Sequence, residues 1–149
     1  MADFTSNPFP REALLGRYKR ADLELHGVDQ TVPSYEGRVF LDNPNADENT
    51  ERTAENGYVG AFHIFGKAGC WGEEGHCDEP PGRRSFDRRR NPTRYAKVRL
   101  TLPDDLRELA GQREGELTLS VVAAVAGRPK AETSNGALRF QRLSIITYG

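Results

Sequence analysis

The sequence lacks several features that would assign it to a large functional class. Only 36% of its 149 residues are hydrophobic, which is below the usual proportion in globular proteins, so the core must be small and polar loops must be long. No apolar run is long enough to span a bilayer, and the N-terminus has no basic start followed by an apolar block. Neither G-x-x-x-x-G-K-[ST] nor a G-x-G-x-x-G that opens a helix occurs, so nucleotide binding has no support. We therefore expect a non-secreted, cytoplasmic protein.

Charge of either sign is not in excess, since 21 basic and 22 acidic residues give a net charge of −1. A chain with this balance has no overall attraction to nucleic acid or to anionic membranes. One local concentration exists, because six arginines between residues 83 and 94 follow four acidic residues between 73 and 79. This stretch is either a solvated loop that neutralises itself or a docking surface for an acidic partner.

Alternation of apolar and polar residues predicts an all-β protein of short strands separated by turn signals. We expect an antiparallel β-sandwich, jelly-roll-like, with one short helix at residues 103–111. Residues 1–19 show no alternation and are expected to form an arm or short helix outside the core, so that the domain spans residues 20–149. The predicted strands are residues 20–28, 35–41, 58–65, 95–102, 117–126 and 138–148.

Two predicted strands carry histidines in different settings. The first strand alternates apolar residues with Asp22, Glu24 and His26, which predicts one face in solvent and His26 at the surface. The third strand is apolar on both faces, which predicts a central strand and a buried His63. A buried imidazole needs a hydrogen-bond partner for each ring nitrogen that it presents, so His63 is the histidine of interest.

The last predicted strand contains two apolar pairs in opposite phase. Leu138 and Phe140 stand in one phase, and Leu143 and Ile145 stand in the other. A bulge near Gln141 and Arg142 would let both pairs face one core.

A glycine-rich loop after the third strand holds both cysteines of the chain. Cys70, His76 and Cys77, with His63 on the strand before them, are side-chain types that bind zinc or copper. Two other interpretations stay open, because Cys70 and Cys77 form a disulfide if their Cα atoms lie within about 7 Å, or pack as independent thiols. Cys77 with a histidine also resembles a nucleophile with its base, and His63 is the candidate for that base.

Two aromatic residues of the same stretch, Phe65 and Trp71, have two interpretations. Each is either a core residue or an anchor that enters a pocket of a partner, as aromatic residues at interfaces do. The alternation alone does not decide between them.

The segment NGYVGAFHIFGKAGCWGEEGHCD, residues 56–78, resembles the C-terminal domain that follows the copper domain in bacterial members of the tyrosinase family. The strand AKVRLTL, the helix DDLRELAG, the strand LTLSVVAAVA and the ending LSIITYG are similar to the carboxy-terminal β-domain of polyphenol oxidases. The resemblance implies a β-domain that covers the entrance of a copper site and places a side chain where the phenol would sit. It makes Tyr58, Phe65 and Trp71 the candidates for that side chain.

The chain itself has only three histidines, fewer than a type-3 pair of copper ions requires, so we do not expect it to be the oxidase. Because it begins with its own Met1, we expect a non-catalytic accessory subunit that binds a tyrosinase-like copper oxidase in trans, shielding its site or aiding copper loading. One alternative is a small enzyme or metal-binding catalyst that uses His63, His76 and Cys77. Another is a structural subunit whose arm, residues 1–19, builds a homo-oligomer.

Overall fold

The structure is a computed structural model that describes residues 1–66, 95–125 and 137–149. In this part of the chain a 3-10 helix, Arg11–Leu14, and an α-helix, α1, Leu106–Gly111, accompany the strands. Neither helix has the length or the apolar composition of a membrane-spanning segment. The strands are β1 Phe4–Thr5, β2 Arg20–Asp29, β3 Tyr35–Leu41, β4 Tyr58–Ile64, β5 Tyr95–Thr101, β6 Leu119–Ala124 and β7 Arg142–Tyr148.

The strands form two antiparallel sheets that enclose one core. The four-stranded sheet has the order β1-β6-β3-β4, and the three-stranded sheet has the order β5-β2-β7. Leu23 and Leu25 of β2 lie in the same buried cluster as Val39 of β3 and Val121 of β6. The predicted all-β sandwich with one short helix is therefore confirmed.

The central strand β2 is buried on both faces, which corrects the expectation of one face in solvent. Asp22 and Glu24 are only 0% and 3% exposed, although they face away from the core. The half-exposed side chains of Lys97 and Arg99 on β5 cover Glu24, with ion pairs of 3.3 and 2.9 Å. Because a central strand has neighbours on both sides, long side chains of those neighbours can enclose its polar residues.

Among the described strands β4 lies at the edge of the four-stranded sheet, which contradicts the prediction of a central strand. Among the described residues it pairs only with β3. The side chain of His63 is 61% exposed, and the predicted burial of this imidazole is wrong for the same reason. An edge strand requires only one apolar face, which leaves its other face free for polar residues.

A β-bulge explains why β4 looks apolar on both faces. The register between the two strands shifts after the pair Val39–Gly60, and Val59 has no partner in β3. Gly60 has a φ of 144°, a conformation that favours glycine. Val59 precedes the bulge, and Phe62 and Ile64 follow it. All three side chains are nevertheless buried in the same core cluster. The strand therefore looks apolar on both faces in the sequence because the bulge shifts the alternation of its core residues by one position.

The first nineteen residues contribute to the core, contrary to the expectation of an arm outside it. Phe4 pairs with Val121 of β6, and Phe9 forms an isolated bridge with Leu117. Leu14 is only 1% exposed and belongs to the main cluster. This segment therefore completes one edge of the four-stranded sheet.

The last strand begins later than predicted, at Arg142. Leu138, Phe140, Leu143 and Ile145 nevertheless all pack against the main core. The predicted packing of both apolar pairs on one core is confirmed. The predicted bulge is not found within β7, because Leu138 and Phe140 precede the strand and its register with β2 is unbroken from Arg142 to Tyr148.

Candidate functional site

Three cationic or basic side chains converge on Glu36 at the outer face of the four-stranded sheet. Glu36 and His63 are direct cross-strand partners, so their side chains project from the same face. Arg38 lies two residues beyond Glu36 on β3 and therefore shares that face. Arg52 reaches the carboxylate from the loop between β3 and β4. We call these four residues the Glu36 cluster.

The contacts within the cluster use both carboxylate oxygens of Glu36. Oε1 accepts hydrogen bonds from Arg38 Nε at 2.7 Å and from Arg52 Nη2 at 2.5 Å. Oε2 lies 3.1 Å from His63 Nε2. Arg38 also donates through Nη1 to the carbonyl oxygen of Glu48, which ties the loop to the sheet.

The protonation of Glu36 follows from these contacts. The hydrogen bond from Arg38 holds the pKa of Glu36 below its ordinary value of 4.5, although partial burial acts in the opposite direction. The positive charges of Arg52 and Arg38 and the hydrogen bond from His63 lower this pKa further. Glu36 is therefore an anion at neutral pH that holds three side chains in place, and it is a poor general base.

A cavity of about 510 Å³ opens beside the cluster, and Phe65 stands at its rim. The Phe65 side chain is 83% exposed. The backbone on either side of it is held, since Ile64 is buried and the Gly66 N–H donates to Ser34 Oγ at 3.0 Å. The exposure of Phe65 is thus imposed by an anchored backbone.

Gly66 adds to this anchoring because it passes very close to a neighbouring segment. A Cβ at Gly66 would lie 1.7 Å from the carbonyl oxygen of Val32. Only glycine fits this approach. The position of Phe65 is therefore determined by contacts on both sides of it.

The arrangement presents an apolar ring next to basic groups. His63 is held in one orientation by Glu36, and Arg52 is partly exposed. An aromatic side chain flanked by positively charged and polar groups is the composition of a binding surface, because the ring supplies buried area and the surrounding groups supply orientation.

The predicted site residues have separate positions in the structure. His63 and Phe65 line the same cavity. Tyr58 is partly buried at the other end of β4, where its ring packs against Phe40 with centroids 5.7 Å apart. The other candidates lie outside the described residues, and these are Cys70, Trp71, His76 and Cys77.

A metal site for copper or zinc stays a prediction. Within residues 1–66, 95–125 and 137–149, no three His, Cys, Asp or Glu side chains are placed to share one ion. His63 has Glu36 as its neighbour, and the proposed partners of His63 in a metal site or in catalysis lie outside the described residues.

Three members of the cluster were missed from the sequence. Glu36 and Arg38 are polar residues two positions apart in an otherwise apolar strand, and this spacing is a signal for a shared outer face. Arg52 carries no such signal, because only the fold of its loop brings it to Glu36.

Comparisons with known proteins add no assignment. No protein family model, no curated protein and no solved structure matches this chain. The resemblance to the tyrosinase family therefore stays a prediction.

Proposed function

We propose that this chain is a non-catalytic binding module that docks a partner protein at the Glu36 cluster, with Phe65 as the apolar anchor. The observation that carries the proposal is the 83% exposure of Phe65 on an anchored backbone beside a cavity. Burial of a phenylalanine side chain contributes roughly 1.5–3 kcal/mol. A partner that encloses this ring recovers a free energy that the isolated chain leaves unused.

The edge position of β4 supports the same proposal. Among the described strands only β3 pairs with β4, so the outer N–H and C=O groups of β4 can pair with an extended segment of another protein. Backbone hydrogen bonds along such a segment would bring its side chains next to Phe65 and His63. Ring burial and strand pairing would then act at one surface.

The partner that we propose is a tyrosinase-like copper oxidase, on the strength of the resemblance of residues 56–78. In this proposal the module covers the entrance of the copper site in trans and shields it, or holds the oxidase while copper is loaded. The exposure of Phe65 favours this residue over the partly buried Tyr58 as the side chain that enters the partner.

Co-expression with a bacterial tyrosinase that lacks its own C-terminal domain tests the proposal. We expect the two proteins to co-purify and phenol oxidation to be inhibited in the complex. Phe65→Ala should abolish co-purification without lowering the thermal stability of the module, because the ring is in solvent. Tyr95→Ala, which changes an exposed aromatic residue of the three-stranded sheet, is the matched control and should still co-purify.

Two results would contradict the proposal. The first is the absence of a complex with the wild-type chain. The second is a complex that Phe65→Ala leaves intact. Light scattering could instead show a dimer of the module that Phe65→Ala converts to a monomer. In that case the partner is a second copy of the chain, and it is not the oxidase.

A further inference from the structure

A second and larger cavity lies on the opposite side of the sandwich from β4. Its volume is about 750 Å³, and it opens between the N-terminal segment and β7. In the described part of the chain β1 and β7 are edge strands of the two sheets, so the sandwich is open along this side. The apolar side chains that line the cavity include Phe4, Phe9, Leu14, Phe140, Leu143 and Ile145.

The lining is a preformed apolar surface. The ring of Phe4 on β1 meets the ring of Phe140, which precedes β7, edge to face with centroids 4.7 Å apart. Leu143 and Ile145 of β7 pack against the core and remain only partly buried. A cavity of this size and composition falls within the range of small-molecule sites, about 300–1,000 Å³ with mostly apolar walls.

The polar groups around the cavity differ in whether they are already engaged. Asp3 accepts a hydrogen bond from the Ala123 N–H at 2.8 Å, and Ser6 Oγ accepts one from the Leu119 N–H at 2.9 Å. Arg139, by contrast, is an exposed residue of the cavity wall. Its guanidinium has no hydrogen-bond or ion-pair partner among the described residues. Arg142, the other cationic residue of the wall, lies 3.4 Å through Nη2 from His26 Nε2. Arg139 is therefore the cation of this wall that has no partner among the described residues.

We propose that this cavity binds a small amphipathic anion, a monocarboxylate with an extended apolar body. The body lies between Phe4 and the inner face of β7, and the carboxylate accepts hydrogen bonds from Arg139. Arginine suits this role because its planar guanidinium matches a carboxylate in geometry and in charge. This site is separate from the Glu36 cluster and does not depend on the binding of a partner there.

Isothermal titration with dodecanoate, and with dodecanol as the uncharged probe of equal length, tests the proposal. We expect saturable binding of dodecanoate with one site per chain and weaker binding of dodecanol. Arg139→Gln should weaken dodecanoate about tenfold or more, as expected for the loss of a charged hydrogen bond, and should leave dodecanol unchanged. Equal affinity for both probes in the wild-type chain would overturn the assignment of Arg139.

A cavity-filling variant distinguishes binding in the cavity from adsorption elsewhere. Ala13 is exposed on the 3-10 helix and lines the cavity, so Ala13→Trp should block the site without removing a core contact. Glu12→Trp adds the same side chain to the same helix at an exposed position outside the cavity wall, and should bind dodecanoate as the wild type does. If Ala13→Trp binds as well as Glu12→Trp, or if no saturable binding of dodecanoate occurs, the proposal is wrong.

Discussion

The contact between Gly37 and Phe62 leads to a prediction about the stability of the strand pair β3–β4. These residues are direct cross-strand partners, and the ring of Phe62 lies over the glycine. A Cβ at Gly37 would lie 2.2 Å from Phe62 Cζ, more than 1 Å short of the 3.4 Å at which ordinary contact begins. The ring cannot move away easily, because it is buried and meets Tyr35 edge to face with centroids 6.2 Å apart.

We therefore expect Gly37→Ala to lower the free energy of unfolding. Insertion of a methyl group into a packed core costs about 1–3 kcal/mol, and a loss of about 2 kcal/mol corresponds to a decrease in Tm of about 4–8 °C for a chain of this size. Urea unfolding followed by far-ultraviolet circular dichroism measures the change. Gly16→Ala is the control, because nothing lies within 4 Å of a Cβ at Gly16, and it should be neutral or stabilising.

A double-mutant cycle tests the cause. Phe62→Leu removes the ring, so Gly37→Ala should cost much less in that background than in the wild type. Effects that add to within about 0.5 kcal/mol would show that the two positions are independent, and they would refute the steric explanation.

Three further predictions concern buried groups. Leu14→Ala should destabilise the protein by about 2–5 kcal/mol in urea unfolding, since Leu14 is only 1% exposed, and a loss below 1 kcal/mol would mean that the N-terminal segment is dispensable. Tyr35→Phe should leave stability unchanged or raise it, because the buried Tyr35 hydroxyl has no hydrogen-bond partner among the residues that the structure describes; a clear loss in the same assay would contradict this. Burial alone would raise the pKa of Glu24, but hydrogen bonds from Arg99 and Lys97 outweigh it and hold the pKa below 4.5. The stabilisation that the ionised Glu24 carboxylate contributes is thus present above pH 4.5 and lost as the pH falls through the folded-state pKa. Glu24→Gln should therefore have a lower free energy of unfolding than the wild type at pH 7, and the two free energies should converge as the pH is lowered.

The strands could be located from the sequence, but their order in the sheets could not. The alternation of apolar and polar residues predicted a strand at residues 35–41, and these are the bounds of β3. This was possible because the side chains of a strand alternate between its two faces, so that the pattern is local in the sequence. Whether a strand is central or at an edge depends on pairing between distant segments, and this has no local signal. The bulge at Gly60 made β4 look buried on both faces, and the cations of β5 buried Glu24 without any change in β2 itself.

The candidate site was predictable to a similar extent. His63 stood out because its strand looked apolar on both faces, which predicted a buried imidazole, and Phe65 stood out as either a core residue or an anchor for a partner. Their exposure was not predictable, since it depends on the edge position of β4 and on the anchoring of Gly66 by Ser34. The contribution of Arg52 arises only when its loop folds over the sheet.

The edge strands of the two sheets also determine where aggregation of this protein would begin. Among the described strands, β1 has only two residues and β5 carries Lys97 and Arg99, and each of these features discourages the addition of a foreign strand. The edge strand β7 has seven residues, and its one charged residue, Arg142, stands at its first position, so the run Leu143 to Ile146 carries no charge. We expect fibril formation at high concentration to begin at β7. A molecule held in the adjoining cavity would cover this edge and slow that process.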